Sequence, residues 1–346
     1  MLQSYLPATA IVALPQPYLL FLGDTTEASY AKTAFGLRDW APKLCLGEYA
    51  CGGATVTTGL PALSPAKAYA MGARGLVIGV ANSGGFIPDA WIPSLLDALE
   101  AGLDLISGMH TRLTDVLALK AAATRLGRRL IDVRQPPARI PIATGRKRSG
   151  KKLLTVGTDC ALGKKYTALA LARAFKGREL AADFRATGQT GILIAGGGIA
   201  IDAVVADFAA GAAEMLSPDA AADHWDVIEG QGSLSHPAYA GVSLALLHGS
   251  QPDVIVICHE PGREFVVGHP TFKLPSLEET IDLALRLGRR TNSAIRCAGV
   301  SLNTSRLDAA AAERLMTKES ERLNLAVADP IRGGDAFERL VDACVT

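Results

Sequence analysis

Between residues 152 and 175 a short apolar run, Lys152–Val156 (KLLTV), leads into a glycine-bounded loop, Gly157–Lys164 (GTDCALGK). Lys165–Phe175 (KYTALALARAF) then carries apolar positions at helical spacing. Strand, glycine loop, lysine and helix in this order allow few folds. The strand reads as buried in a parallel sheet, and the helix N-terminus and loop amides are placed to receive an anion, an ordinary tight strand–helix turn being the alternative. Lys164 adds a point charge among the phosphate oxygens such a P-loop receives. The segment departs from Gly-x-x-x-x-Gly-Lys-Ser/Thr at two places. Thr158 stands where the first glycine belongs, and Lys165 replaces the Ser/Thr whose hydroxyl holds Mg²⁺. Thr167 is too far along the helix to substitute for it. Phosphate binding is therefore expected, and ATP hydrolysis is not.

Around this loop, apolar strands alternate with helices. Gly191–Ala195, Trp225–Ile228, Asp253–Cys258 and Ala298–Leu302 read as strands. Ile201–Leu216, Ala238–His248, Leu277–Leu287 and Ala309–Leu323 read as helices, which implies a parallel sheet covered on both faces. Upstream, Arg134–Lys152 contains Pro136, Pro137 and Pro141 before a Gly/Ser/basic stretch, a pattern that breaks regular structure and marks a joint. Before that joint, Leu19–Gly23, Gly75–Val80, Leu103–Ser107 and Arg129–Val133 read as strands, and Pro93–Ala101 and Thr114–Leu126 as helices. The expected fold class is α/β: a Rossmann-like N-terminal domain (1–140), a linker (141–151) and a P-loop NTPase-like parallel-sheet domain (152–346). In the first domain Gly23–Thr25 and Asn82–Gly85 fall where such sheets place ligands. No GxGxxG with a following acidic residue supports a dinucleotide.

Composition narrows the classes further. The 346 residues are 49% hydrophobic and 20% charged, with a formal net charge of +1, which fits a globular protein and gives no electrostatic footprint for nucleic acid. Its six cysteines form no CxxC, so reduced thiols in a cytoplasmic protein are expected rather than a zinc or redox motif. Prolines at 7, 15 and 17 and the lack of a basic start argue against a signal peptide, and no run of about 18 apolar residues suggests a membrane span.

Three polar clusters accompany the loop. FRATGQTG supplies Arg185, Thr187, Gln189 and Thr190; EGQGSLSHPAY supplies Glu229, Gln231, Ser233, Ser235, His236 and Tyr239; CHEPGREFVVGH supplies His259, Glu260, Arg263 and His269. No GxSxG elbow supports a serine hydrolase. The His/Glu spacing of the third cluster fits no HExxH helix, so no metal is expected.

Together GTDCALGKKYTALAL, FRATGQTGILIAG and IEGQGSLSHPAYAGVS resemble a family of bacterial two-domain proteins, long labelled as of unknown function, whose characterised branch is D-glutamate N-acetyltransferase. The resemblance spans nearly the whole chain. GTD…GK and Glu-Gly-x-Gly also look like dethiobiotin synthetase, a P-loop relative that uses ATP. The family resemblance implies acetyl-CoA as co-substrate, its phosphates at Gly157, Thr158, Asp159, Cys160, Ala161, Leu162, Gly163 and Lys164. An amino diacid needs cationic partners, for which Arg185 and Arg263 are candidates, with Gln189 beside them. Glu229, His236 and Asp159 are the candidate catalytic residues that accept the amine's proton. An ATP·Mg²⁺-dependent kinase or ligase and a non-catalytic nucleotide-binding module are the alternatives. Partners are expected to be small molecules rather than nucleic acid or membrane, with a homodimer as the base-rate oligomer.

Overall fold

The computed structural model of the chain describes residues 14–82 and 84–346. Two compact units emerge. The first runs to Pro136 and takes back Gln189–Ala200; the second comprises Pro137–Gly188 and Ile201–Thr346.

In the first unit the strands are β1 (Tyr18–Phe21), β2 (Cys45–Tyr49), β3 (Gly75–Ile78), β4 (Asp104–Ser107) and β5 (Leu130–Asp132). They form one parallel sheet in the order β2-β1-β3-β4-β5. Tyr18 to Phe21 are fully buried, as expected of a parallel strand covered on both faces. Helices α1 (Lys32–Trp40), α2 (Pro65–Ala70), α3 (Ile92–Glu100) and α4 (Leu117–Leu126) connect the strands. The Rossmann-like reading holds; α1, β2 and α2 are additions to it. The start of α2 was legible in principle, because Ser64 accepts a bond from the Lys67 amide and Pro65 occupies the first turn.

The second unit holds a six-stranded parallel sheet in the order β13-β12-β9-β6-β8-β7. Its first elements are β6 (Lys151–Gly157), α5 (Lys164–Gly177) and β7 (Ala182–Arg185). The segment expected as a strand at Gly191–Ala195 is instead α6 (Gln189–Ala195), and it belongs to the first unit, where Thr190 Oγ1 lies 3.0 Å from Thr33 Oγ1 on α1. Five apolar residues suit a buried strand or one buried turn of helix equally well, so the pattern alone could not separate them. The strand of this region is β7, four residues upstream of α6.

From there the chain runs through α7 (Ala206–Leu216), β8 (Trp225–Ile228), α8 (Ala240–Ser250) and β9 (Val254–His259). An antiparallel hairpin follows, β10 (Phe265–Val266) with β11 (His269–Lys273). Then come α9 (Leu277–Gly288), β12 (Arg296–Leu302), α10 (Ala309–Leu323), β13 (Ala326–Ala328) and α11 (Gly334–Val345).

The stretch read as a solvated linker is part of the second unit. Arg148 is buried, its guanidinium donating to the Ser217 carbonyl (2.5 Å), Ser217 Oγ (3.0 Å) and the Gly249 carbonyl (2.6 Å). Thr144 and Gly145 amides bond the Glu214 carboxylate, and Arg146 pairs with Asp219. A basic run with no apolar face thus docks through hydrogen bonds. Within this sheet β6 lies between β8 and β9, with Leu154 opposite Ile228 and Gly157 opposite Cys258. The chain leaves β6 toward one edge and later returns to its other side, so the β6 terminus opens at a topological switch point.

Candidate phosphate-binding site

At the end of β6, Thr158 to Gly163 turn into α5 through two residues of positive φ, Ala161 (54°) and Gly163 (107°). Alternating handedness of this kind points successive amides to one side and makes an anion-binding concavity. The backbone N–H groups of residues 160–164 have no hydrogen-bond acceptor among the described residues, and no side chain caps α5. Lys164 is buried with its Nζ donating to the Asp159 carbonyl at 2.6 Å, and burial pulls its ammonium below the ordinary lysine value. Among the described residues the Lys164 ammonium is held by one carbonyl, beside amides that have no acceptor, an arrangement that suits an anion.

The loop is braced from three sides. Ser233 Oγ, after β8, donates to the Thr158 carbonyl (3.0 Å), and Thr158 Oγ1 meets His259 Nδ1 at the end of β9 (3.0 Å). Arg263 donates to Asp159 Oδ2 (3.0 Å) and the Cys160 carbonyl (2.7 Å), and pairs with Glu260. The Val267 amide, in the hairpin turn, also bonds Asp159 Oδ2 at 2.9 Å. Arg263, expected as a substrate partner, thus has both Nη groups engaged by the loop and by Glu260. Arg185, the other expected cation, is paired through Nε with buried Asp226 at 2.6 Å and through Nη2 with Asp183 at 3.3 Å. Gln189 belongs to the first unit, where its side chain lies against Gly108.

Thr167 proves unable to stand in for the missing Mg²⁺ hydroxyl. Its Oγ1 is buried against Ser301 Oγ at 2.8 Å and the Cys258 thiol at 3.5 Å.

The three candidate bases differ in what they have left to offer. His236 Nδ1 accepts from the amides of Ala238 (3.0 Å) and Tyr239 (3.3 Å), which assigns the ring proton to Nε2. Burial further disfavours the doubly protonated ring, although Asp159 pulls the other way. In this arrangement the Nδ1 lone pair of His236 is committed to two backbone amides. Its Nε2 lies 3.8 Å from Asp159 Oδ1, and these two buried atoms have no hydrogen-bond partner. With the Cys160 thiol they fall within 4.8 Å of one another, a spacing that suits a metal, yet a protonated Nε2 offers no ligand electrons.

Glu229, just past β8, is buried. Its Oε2 accepts from the Thr187 and Gly188 amides (3.0 and 3.1 Å) and leaves Oε1 outside those bonds. Burial pushes its carboxyl above the usual range, with Lys165 and the two amides drawing it back. The hairpin was the part of the site sequence reasoning missed; Val266-Val267-Gly268-His269, a glycine among β-branched residues, was its signal.

Fold and site together define a two-domain α/β protein with a P-loop strand–loop–helix turn that carries Lys165 where the magnesium-binding hydroxyl usually stands. The sequence matches two family models, a Rossmann-like domain of unknown function (DUF1611_N) over residues 47–136 and a P-loop domain of unknown function (DUF1611_C) over 141–341. The chain belongs to this DUF1611 family. It is 47% identical over 318 residues to a D-glutamate N-acetyltransferase of a Pseudoalteromonas species, covering 92% of this chain and 96% of the relative. A second protein of that name, from Tritonibacter scottomollicae, is 49% identical over 327 residues, covering 94% and 98%. A crystal structure of a DUF1611 family protein from Anabaena variabilis superimposes with a TM-score of 0.85 at 34% identity, covering 95% of this chain and 99% of the other.

Proposed function

We infer that this chain is an acyltransferase that moves acetyl from acetyl-CoA to the amino group of D-glutamate. One observation carries the reading: the chain is 47% and 49% identical, over more than nine-tenths of its length, to two D-glutamate N-acetyltransferases. The site chemistry agrees. Acetyl-CoA brings a pyrophosphate and a further phosphate, and the amides of residues 160–164 with Lys164 would hold such groups. When bound it supplies an acetyl group activated as a thioester. Acetyl transfer requires no phosphoryl chemistry, so Lys165 after the loop lysine is no obstacle.

An amine attacks only as the neutral base, and at neutral pH the amino acid is an ammonium ion. A proton acceptor must therefore act at the site. Glu229 fits best: buried, raised in pKa, and with one carboxylate oxygen outside the amide bonds that fix the other. Asp159 holds the loop in shape through Arg263 and the Val267 amide, and His236 fixes its own turn by accepting the Ala238 and Tyr239 amides.

The test is release of CoA thiol from acetyl-CoA with a panel of D- and L-amino acids, with and without ATP·Mg²⁺. D-Glutamate is expected to drive release in the absence of ATP. Silence across the panel, or release that requires ATP·Mg²⁺, would refute the reading.

A further inference from the structure

Beside the phosphate loop, the second unit carries a group of rings that the acetyl-transfer chemistry leaves unused. Buried His236 is its centre. The Tyr239 ring lies over it, centroids 4.5 Å apart and planes tilted by 34°, and the His269 ring meets it edge-on at 5.2 Å. Phe272 in turn meets His269 edge-on at 5.9 Å. The outer rings stay open to solvent, Tyr239 being 54% and Phe272 50% exposed, and Val267 in the hairpin turn is 51% exposed. Apolar side chains gathered in the open at one place mark a surface that a ligand or partner covers.

The group is built onto the loop. The Val267 amide and the Arg263 guanidinium, one in the hairpin and the other just before it, both donate to Asp159 Oδ2 (2.9 and 3.0 Å). His236 Nε2 lies 3.8 Å from the other oxygen of that carboxylate. Tyr239 immediately precedes α8, where its amide donates to His236 Nδ1 (3.3 Å) and its carbonyl accepts from Ser243 Oγ (3.3 Å). Its ring therefore stands one imidazole away from a residue of the phosphate loop, on a backbone held on both sides. An anion receptor and a fixed, exposed ring this close together suit a ligand that is phosphate at one end and flat and apolar at the other.

We propose that Tyr239 is the platform on which the adenine of acetyl-CoA stacks, with Phe272 and Val267 as the apolar rim around it. The assignment rests on the acetyl-transfer reading for the identity of the nucleotide. Stacking suits this surface, because a base offers its π-face and asks no hydrogen bond of the wall it lies on. The phosphates would sit at the amides of residues 160–164, which have no acceptor among the described residues. Of the parts of the two substrates, only the nucleotide joins phosphate to an aromatic ring. D-Glutamate has neither, and the pantetheine arm has no ring.

The probe is adenosine 3′,5′-bisphosphate, which carries the base and the 3′-phosphate of CoA but no thioester, titrated by calorimetry with ribose 5-phosphate as the control that lacks the base. Tyr239→Ala should weaken bisphosphate binding by about five- to hundredfold, the worth of one stacked base, and leave ribose 5-phosphate unaffected. Tyr239→Phe keeps the ring and should stay within about twofold of the wild type on the same ground. In turnover, Tyr239→Ala should raise KM for acetyl-CoA by a like factor and spare KM for acetyl-phosphopantetheine, which has no adenine. Absence of bisphosphate binding in the wild type, wild-type affinity in Tyr239→Ala, or equal losses with both acetyl donors overturns the assignment. So does a Tyr239→Ala protein that loses a dimer in sedimentation yet keeps its nucleotide affinity, which would give the rings to a second copy of the chain. Bisphosphate binding that depends on Tyr239, in a protein that does not acetylate D-glutamate, would sink the acetyl-transfer reading and leave the base platform standing.

Discussion

Glu229 illustrates how one buried carboxyl carries both a functional and a stability consequence. A carboxyl whose pKa rises on folding stabilises the fold below its unfolded pKa, and that contribution is lost as pH climbs through the folded value. Above it, the ionised side chain is a buried charge that costs stability. Glu229→Gln keeps an acceptor for the Thr187 and Gly188 amides and removes that charge. Turnover should fall by roughly 10²–10⁴-fold, and the melting temperature at pH 8 should be equal to or above that of the wild type. A variant with normal turnover removes Glu229 from the mechanism. The wild-type rate should rise with pH through the raised Glu229 pKa, since only the ionised form accepts a proton, and this limb should vanish from the variant's residual activity. His236 offers a spectroscopic check. Nitrogen-15 shifts should report the Nε2–H tautomer, still neutral where an exposed histidine is half protonated; an Nδ1–H tautomer would restore it as a base. These roles were only partly legible in sequence. The polar residue types after each strand were visible, and so were the near partners Asp183 and Glu260 of Arg185 and Arg263. The buried carboxylates that also hold them, Asp226 and Asp159, lie 41 and 104 positions away, a pairing no local pattern encodes.

At the scale of elements, most strands and helices followed from apolar period and turn residues, and α10 was read to the residue, Ala309–Leu323. The misses have separate physical causes. α6 is too short for its period to show, β10 has two residues, and the 137–150 strap is held by long-range hydrogen bonds rather than an apolar face. The strap's anchor can be tested. Arg148→Ala strips donors from the Ser217 and Gly249 carbonyls and leaves Glu214 beside an emptied site, so urea denaturation should show a loss of about 3 kcal/mol. A loss under about 0.5 kcal/mol, the range of ordinary surface changes, would mean the strap is only loosely attached. Where β8 ends, Gly230 packs directly on β6: a Cβ would stand 1.7 Å from the Thr155 carbonyl oxygen. Gly230→Ala should therefore destabilise the protein by about 2–4 kcal/mol in the same measurement, because backbone rather than a flexible side chain must give way.

For the molecule as a whole, the fold class was readable because two doubly wound patterns flank a proline-rich joint. The crossing of Gln189–Ala200 into the first unit was not, since nothing in that segment's composition sets it apart from a strand of its own unit. Among the described residues no helix is long and apolar enough to cross a membrane. The central claim is that a P-loop here serves acetyl-group transfer, holding the phosphates of acetyl-CoA and driving no phosphoryl chemistry. Steady-state titration of acetyl-CoA at saturating D-glutamate, with wild-type enzyme and Lys164→Ala, tests it most directly. Loss of a charged hydrogen bond to phosphate should raise KM for acetyl-CoA by about 10–100-fold in the variant, with KM for D-glutamate little changed. A Lys164→Ala enzyme with the wild-type KM for acetyl-CoA would contradict the account.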